Sequence, residues 1–545
     1  MRPFGPTYAT PLEETRALGG EAAPARNRVR FLAIGIFSLL LLLAGRAVQL
    51  SFSGDPQGVS RHVVTAATPR ADIVDRNGVL LATTVRAFTL TAEPERVRNA
   101  RDVADALSGL FPDLDRGELL ARLTDATHQL VYLRRSLTPV ERDRVQALEL
   151  AGIGFESDNR RTYPQGTLAA HALGFTDVDL APLAGVERGL DREIRAAGAE
   201  GRPVRLSLDV RVQYALETEL DLAARSAHAT GGAAILLDGH TGETLALASW
   251  PSFDPNQIGQ SSADTRRDRV AGDLHELGST IKPFTVAMAL QQQLTNSGEL
   301  FDVSQPFELD GTLITDHEQI RGPASLRDIL ARSSNIGAAH LALRIGGVRQ
   351  RQYFERLGFT ARSSLELARN QAPIAPVART RRDVAGLGFG YGLAATQASL
   401  ASAYTVFVND GARVGPTMLA RAPDAAVERT QVFRPEITRQ VLSYLRSVVT
   451  DGTGRAADVP GLLVAGKTGT AEKLGDQPGY DESRNFSSFA GVFPANNPRY
   501  VIVVSLDDVG GGETGGAVAA PVVARTLRRV APMLGLSVEP RPQAR

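Results

Sequence analysis

The segments GGAAILLDGHTGETLALAS at 231–249 and SSFAGVFPANNPRYVIVVSLDD at 487–508 each spell two apolar strands around a turn, the first at Gly239–Glu243, the second at a Pro/Asn run. Between them apolar helices and strands alternate, and AAPVVARTLRRVAPML at 519–534 reads as a closing helix. Strand hairpins at both ends of a helix-bearing segment predict one sheet completed by distant parts of the chain, an α+β arrangement over residues 231–535. Residues 536–545 are then a short tail.

Residues 51–230 look like a framework without evident chemistry. TPVE at 138–141 is a capping box with proline at the first helical position, and it predicts a short helix that Gly152 would close. AFTLTAEP alternates like a strand, and RTYPQG at 161–166 is turn chemistry.

Ahead of this region FLAIGIFSLLLLLAG at 31–45 is apolar throughout. Extended to Leu50 it approaches the roughly 20 residues that span a bilayer, with Arg46 snorkelling to the interface. Arg26, Arg28 and Arg30 precede it, and no Lys or Arg lies between Arg46 and Arg61. This asymmetry predicts a cytoplasmic tail at 1–30, a transmembrane anchor at 31–50 and export of the remainder. The competing reading is a cleaved signal peptide, against which stand the long leader and the poor cleavage site GRA.

At 545 residues, with 43% hydrophobic and 22% charged, the chain has material for several cored domains. A formal charge of +0 gives no basic surface for nucleic acid. The absence of cysteine excludes disulfides and thiol catalysis. The eight histidines are scattered, with no H-E-x-x-H pair, so the reading includes no metal and no cofactor.

One compositional bias bears on chemistry. Of 60 Lys and Arg only three are lysine, at Lys282, Lys467 and Lys473. Arginine stays charged in any protein, whereas a lysine can be driven neutral by burial and like charge. Lys282 lies in GSTIKPF, three residues after Ser279. Pro283 belongs in a helix's first turn, and FTVAMAL after it reads as a buried helix, so that helix begins near Ser279. Three positions on, the Lys282 amine falls on the same face and within reach of the serine hydroxyl. A neutral lysine can be the base that a serine nucleophile needs.

By itself S-x-x-K is a weak signal, equally consistent with a serine cap and a solvated lysine. Two further segments add to it. RSSNIG at 332–337 puts Ser333 and Asn335 at the start of the apolar helix IGAAHLAL, and AGKTGTAEK at 465–473 places Lys467, Thr468, Gly469 and Thr470 after the strand-like LLVA. GLLVAGKT at 461–468 also satisfies the phosphate-loop spelling G-x-x-x-x-G-K-T. That motif needs a helix opening at the lysine, and the residues here read as strand, which keeps a P-loop nucleotide-binding protein only as a remote alternative.

In that order STIK, SSN and KTGT resemble the three active-site motifs of penicillin-binding proteins and serine β-lactamases. PRADIVDRNGVLLA at 69–82, RTYPQGTLAAHALGFTD at 161–177 and AGVERGLD at 184–191 resemble the pedestal of class B penicillin-binding proteins. GYGLAATQASLASAYTVFVNDG at 390–411 and SSFAGVFP at 487–494 are similar to further parts of their transpeptidase domain. The LGFTDVD to GVERGLD stretch looks most like the division-specific, FtsI-type branch, with the elongation-type branch as runner-up. One departure is Leu277, where the family usually has proline.

The resemblance implies an α+β transpeptidase domain of the penicillin-binding/serine β-lactamase type on an elongated mixed α/β pedestal, behind one N-terminal transmembrane helix in the inner membrane. It implies that Ser279 attacks a D-Ala-D-Ala stem peptide of peptidoglycan, with Lys282 as general base. Ser333 would relay a proton, and Asn335 would hold Lys282 and the substrate amide. Lys467 would keep Lys282 neutral and, with Thr468, Gly469 and Thr470, bind the substrate carboxylate. The N–H groups of Ser279 and Thr470 would form the oxyanion hole. β-Lactams should acylate the same serine, and an FtsW-like glycosyltransferase and other divisome membrane proteins are the implied partners. A β-lactamase or D,D-carboxypeptidase shares the three motifs, and a non-enzymatic division scaffold is a third reading. Anchor and pedestal favour the synthase.

Overall fold

The computed structural model describes residues 34–44, 70–474, 480–509 and 514–537. The chain divides into two compact units, residues 1–67 and residues 68–545. In the first, residues 34–44 are helical with exposed side chains. The rest of the expected 31–50 anchor lies outside the described residues, among which no helix is long and apolar enough to cross a membrane.

In the second unit the two hairpins do meet. Tyr500–Val509 lies antiparallel to Gly231–Asp238, with Tyr500 opposite Asp238 and Asp507 opposite Gly231. Thr244–Trp250 extends the sheet on one side, and Tyr480–Phe493 and Ala465–Leu474 extend it on the other, the last as the edge strand. Every residue of Gly231–Asp238 is buried, because both faces of the sheet are covered. Ile235, Leu237, Val501 and Val503 join Phe284, Met288, Leu400 and Tyr404 in one core. Their neighbours Ala234, Leu236, Ile502 and Val504 join Val212, Leu216, Val518 and Val522 in another. Alternation along each strand thus feeds two apolar layers, which is how a continuous apolar run stays a strand.

That second layer includes helix Val210–Ser226, which lies ahead of the expected boundary at residue 231 and packs with the sheet of the C-terminal part.

The pedestal has its own five-stranded sheet from Ile73–Val74, Leu80–Ala92, Val131–Leu137, Ile153–Thr162 and Val204–Arg205, and its own small core around Leu90, Leu107, Leu119 and Leu133. The Thr138 capping box is formed, its backbone N–H donating 2.7 Å to Glu141 and its hydroxyl accepting 3.2 Å from the Glu141 N–H. The helix stops at Gln146, short of Gly152, which stands at φ +83° in the following turn. With one buried apolar residue, Val145, the segment has little to hold a longer helix.

A buried ion cluster ties the pedestal's segments together. Glu187 accepts from Arg70 Nε at 3.1 Å and Arg161 Nε at 2.6 Å, while Arg70 Nη1 reaches Asp191 at 2.5 Å. Glu187 is 0% exposed. Removing that carboxylate leaves the buried Arg161 guanidinium without a carboxylate and Arg70 with Asp191 alone, so Glu187→Ala is expected to lower stability by about 3–5 kcal/mol. The check is the denaturant midpoint at an unchanged slope, and an unchanged midpoint would contradict it.

Candidate active site

Pro283 starts the serine's helix as expected. Gly278–Ile281 form a single 3₁₀ turn and Lys282–Gln291 continue as α-helix, with nine of its ten residues buried. Leu277, at φ −71°, keeps a proline-like angle, and its N–H donates 3.1 Å to Leu393 O, a bond that proline could not make. Gly278 stands at φ +49°, and a Cβ there would lie 2.8 Å from the Thr470 carbonyl oxygen. Only glycine lets the serine turn approach the edge strand so closely. Gly469 does the same from the strand, where a Cβ would lie 2.5 Å from Ser488 Oγ and 2.8 Å from Thr280 Cγ2.

SSN comes from a third place. Ser334 caps helix Asn335–Ile345 through a 3.0 Å bond from the Gly337 N–H. Ser333, just before it, stands at φ +60°, left-handed backbone that a non-glycine residue adopts only when its surroundings enforce it.

These three elements converge on one hydroxyl. Ser333 Oγ donates 2.9 Å to Ser279 Oγ and accepts from Lys467 Nζ at 2.9 Å and Lys282 Nζ at 3.2 Å. Lys282 also donates to Ser333 O at 2.6 Å and Asn335 Oδ1 at 2.7 Å. The direct Lys282 to Ser279 hydrogen bond expected from their spacing is not formed. Lys282 Nζ directs its contacts to Ser333 and Asn335, and the path between the pair runs through the Ser333 hydroxyl. Spacing alone does not reveal a third side chain, 51 positions from the lysine, inserted between them.

Both site lysines are 0% exposed. Burial pushes Lys282 down to about 7, against an opposing pull from the Asp316 carboxylate. Burial, and then the charge of Lys282, push Lys467 well below the ordinary lysine range. Two desolvated amines sharing one hydroxyl are not both protonated near neutrality. An arginine in either place would keep its charge, which is the physical reason for lysine here.

The hydroxyl of Thr468 meets Thr453 Oγ1 at 2.7 Å and lies 3.4 Å from Lys467 Nζ, and Thr470 Oγ1 accepts 3.3 Å from the Gly515 N–H. Lys467 lies inside strand Ala465–Leu474 with no helix opening at it, so the run 461–468 forms no phosphate loop. Two residues of the site escape the sequence reading. Thr453 arrives from the turn after helix Pro435–Thr450, and its N–H also binds Ala331 O at 3.1 Å beside SSN. Asp316 arrives from the loop after strand Thr312–Ile314 and binds the SSN turn. Neither has a local pattern that marks it.

Residues 232–528 match the family model of the penicillin-binding protein transpeptidase domain, and residues 65–193 match the penicillin-binding protein dimerisation domain. The chain belongs to the class B penicillin-binding proteins. This penicillin-binding protein is 37% identical to the probable peptidoglycan D,D-transpeptidase FtsI of Caulobacter vibrioides, over 96% of this chain and 91% of that one. It is 31% identical to the peptidoglycan D,D-transpeptidase FtsI of Escherichia coli, over 88% and 86% of the two chains. Among solved structures it is similar to penicillin binding protein 3 of Mycobacterium tuberculosis complexed with aztreonam, with a TM-score of 0.68 and 25% identity, covering 87% of this chain and 97% of that one.

Proposed function

We propose that this penicillin-binding protein is a septal peptidoglycan D,D-transpeptidase and that its serine chemistry runs through Ser333. The observation that carries the reading is the convergence of Ser279, Lys282 and Lys467 on the Ser333 hydroxyl within 2.9–3.2 Å. Ser279 Oγ attacks the penultimate D-Ala carbonyl of a stem peptide while its proton passes through Ser333 to a neutral lysine, with Lys282 as the base. The ester forms, the peptide bond breaks, and the same proton returns to the departing D-Ala amine. An amine of a second stem peptide then takes the acyl group, restoring the Ser279 hydroxyl. The N–H groups of Ser279 and Thr470, brought together by Gly278, serve the oxyanion, each such donor being worth about 3 kcal/mol. Lys467, Thr468 and Thr470 hold the substrate carboxylate, and Thr453 supports Thr468.

The division role rests on likeness to chains named FtsI. Residues 31–50 anchor the chain in the inner membrane with the tail at 1–30 in the cytoplasm and the catalytic domain outside, beside an FtsW-like glycosyltransferase. β-Lactams, as mimics of D-Ala-D-Ala, acylate Ser279. Mass spectrometry of the penicillin-treated protein tests this, because the added mass must map to the peptide containing Ser279. Rapid loss of the adduct would support a β-lactamase instead.

The lysine burial also sets a pH dependence. Lys282 acts as base only when unprotonated, and burial lowers its value from 10.5 to about 7. The acylation rate is therefore expected to rise with pH through about 7 and then level, falling about tenfold per pH unit on the acid side. Stopped-flow acylation by a chromogenic cephalosporin measures this, and a limb near 10 would contradict it.

A further inference from the structure

Ser333 holds an unusual backbone angle, and the helix cap that follows it is not sufficient to explain this, because Ser334 Oγ bonds only the Gly337 N–H from that side. The additional constraint comes from outside the helix. Asp316 accepts from the Asn335 N–H at 2.6 Å and the Ile336 N–H at 3.0 Å through one oxygen, and from Ser334 Oγ at 2.7 Å through the other. The carboxylate thus binds all three residues that follow Ser333. The same loop holds the Asn335 side chain, whose Nδ2 donates 2.9 Å to Thr315 O and so turns Oδ1 toward Lys282.

Resting on the transpeptidase reading above, we infer that Asp316 is a positioning residue for acyl transfer, fixing the Ser334–Ile336 turn so that Ser333 presents its hydroxyl between Ser279 and the two lysines. It touches none of the reacting atoms itself. A carboxylate suits the place because it offers enough lone pairs to accept three bonds at once, and because negative charge at the first N–H groups of a helix is favourable.

The same charge also acts on the base. Among the described residues, the titratable groups facing Lys282 are Lys467 from the edge strand and Asp316 from this loop, and only Asp316 pulls on its charge, while the SSN turn contributes the uncharged Ser333 and Asn335. Asp316 favours the protonated amine and opposes burial. Removing its charge while keeping its shape should therefore lower the pH at which Lys282 becomes a base.

Asp316→Asn and Asp316→Ala in the full chain test this, each compared with the unsubstituted protein for acylation by a chromogenic cephalosporin across pH, with rates normalised to titrated active sites. Asp316→Ala releases the turn, and its plateau rate is expected to fall on the order of 100-fold, the cost of misplacing a catalytic group by about 1 Å. Asp316→Asn keeps part of the hydrogen bonding, so a smaller plateau loss is expected together with an acid limb displaced to lower pH. A merely structural role would reduce the number of titratable sites but leave the rate per site and the limb unchanged, and that result overturns the inference. If Asp316→Ala fails to fold, the plateau rate per titrated site of Asp316→Asn decides, and a plateau equal to that of the unsubstituted chain overturns the inference. If the unsubstituted chain carries no adduct on Ser279, the transpeptidase reading fails first, and this outcome is read separately from any behaviour of the Asp316 variants.

Discussion

Ser279→Ala protein is expected to take up no covalent penicillin, with the loss reaching on the order of 10⁶-fold in turnover, the scale seen when a serine nucleophile is removed from its constellation. The size of the effect follows from the geometry. Ser279 Oγ is the atom at the partly exposed mouth of the site that is hydrogen-bonded to Ser333, with both amines behind it fully buried. The substitution should leave the fold intact, because among the described residues Ser279 makes its side-chain bond only to Ser333, and the adjoining turn is held by Thr280 Oγ1 on Leu277 O at 2.6 Å and by Tyr404 OH on Thr280 O at 2.9 Å. Intact-mass measurement after drug exposure reads the result directly. An adduct of normal stoichiometry on the Ser279→Ala chain would place the nucleophile elsewhere and end the proposal.

Lys282→Arg is expected to be nearly as damaging, although it conserves charge and length in a chain that otherwise prefers arginine. A general base typically contributes 10²–10⁴-fold, and an arginine at this position cannot accept a proton at any workable pH, so acylation should fall by about that factor. The cost includes geometry as well as protonation. Three contacts, to Ser333 O, Ser333 Oγ and Asn335 Oδ1, fit a tetrahedral amine nitrogen in a fully buried space, and a planar guanidinium must displace one of them. The diagnostic readout is pH, since raising it should not restore Lys282→Arg. Recovery of the rate at alkaline pH would mean that some group other than residue 282 takes the proton.

These two outcomes mark how far the chain can be read without its structure. The pieces that depend on neighbours a few residues apart are legible: the capping box at Thr138, the helix start fixed by Pro283, Lys282 three positions from Ser279, and the pairing of two apolar hairpins in one sheet. Local geometry sets all of these except the last, and the last follows from the need to cover apolar strands. The end of the Pro139–Gln146 helix is not legible in the same way. A glycine six residues on suggests a later stop, whereas the segment lacks the buried contacts that would carry a helix so far.

What the amino-acid order determined alone was therefore the parts list, namely a serine, two convertible lysines, an SSN turn and a sheet to mount them on, because residue type and short spacing decide which groups are able to do which chemistry. Tertiary structure decided the wiring. It put Ser333 between Ser279 and Lys282, brought Asp316 and Thr453 to the same few ångströms, and made helix Val210–Ser226 part of the C-terminal core. Contacts between residues far apart in the chain depend on how whole elements pack, and packing leaves no periodicity or spacing to be read in advance.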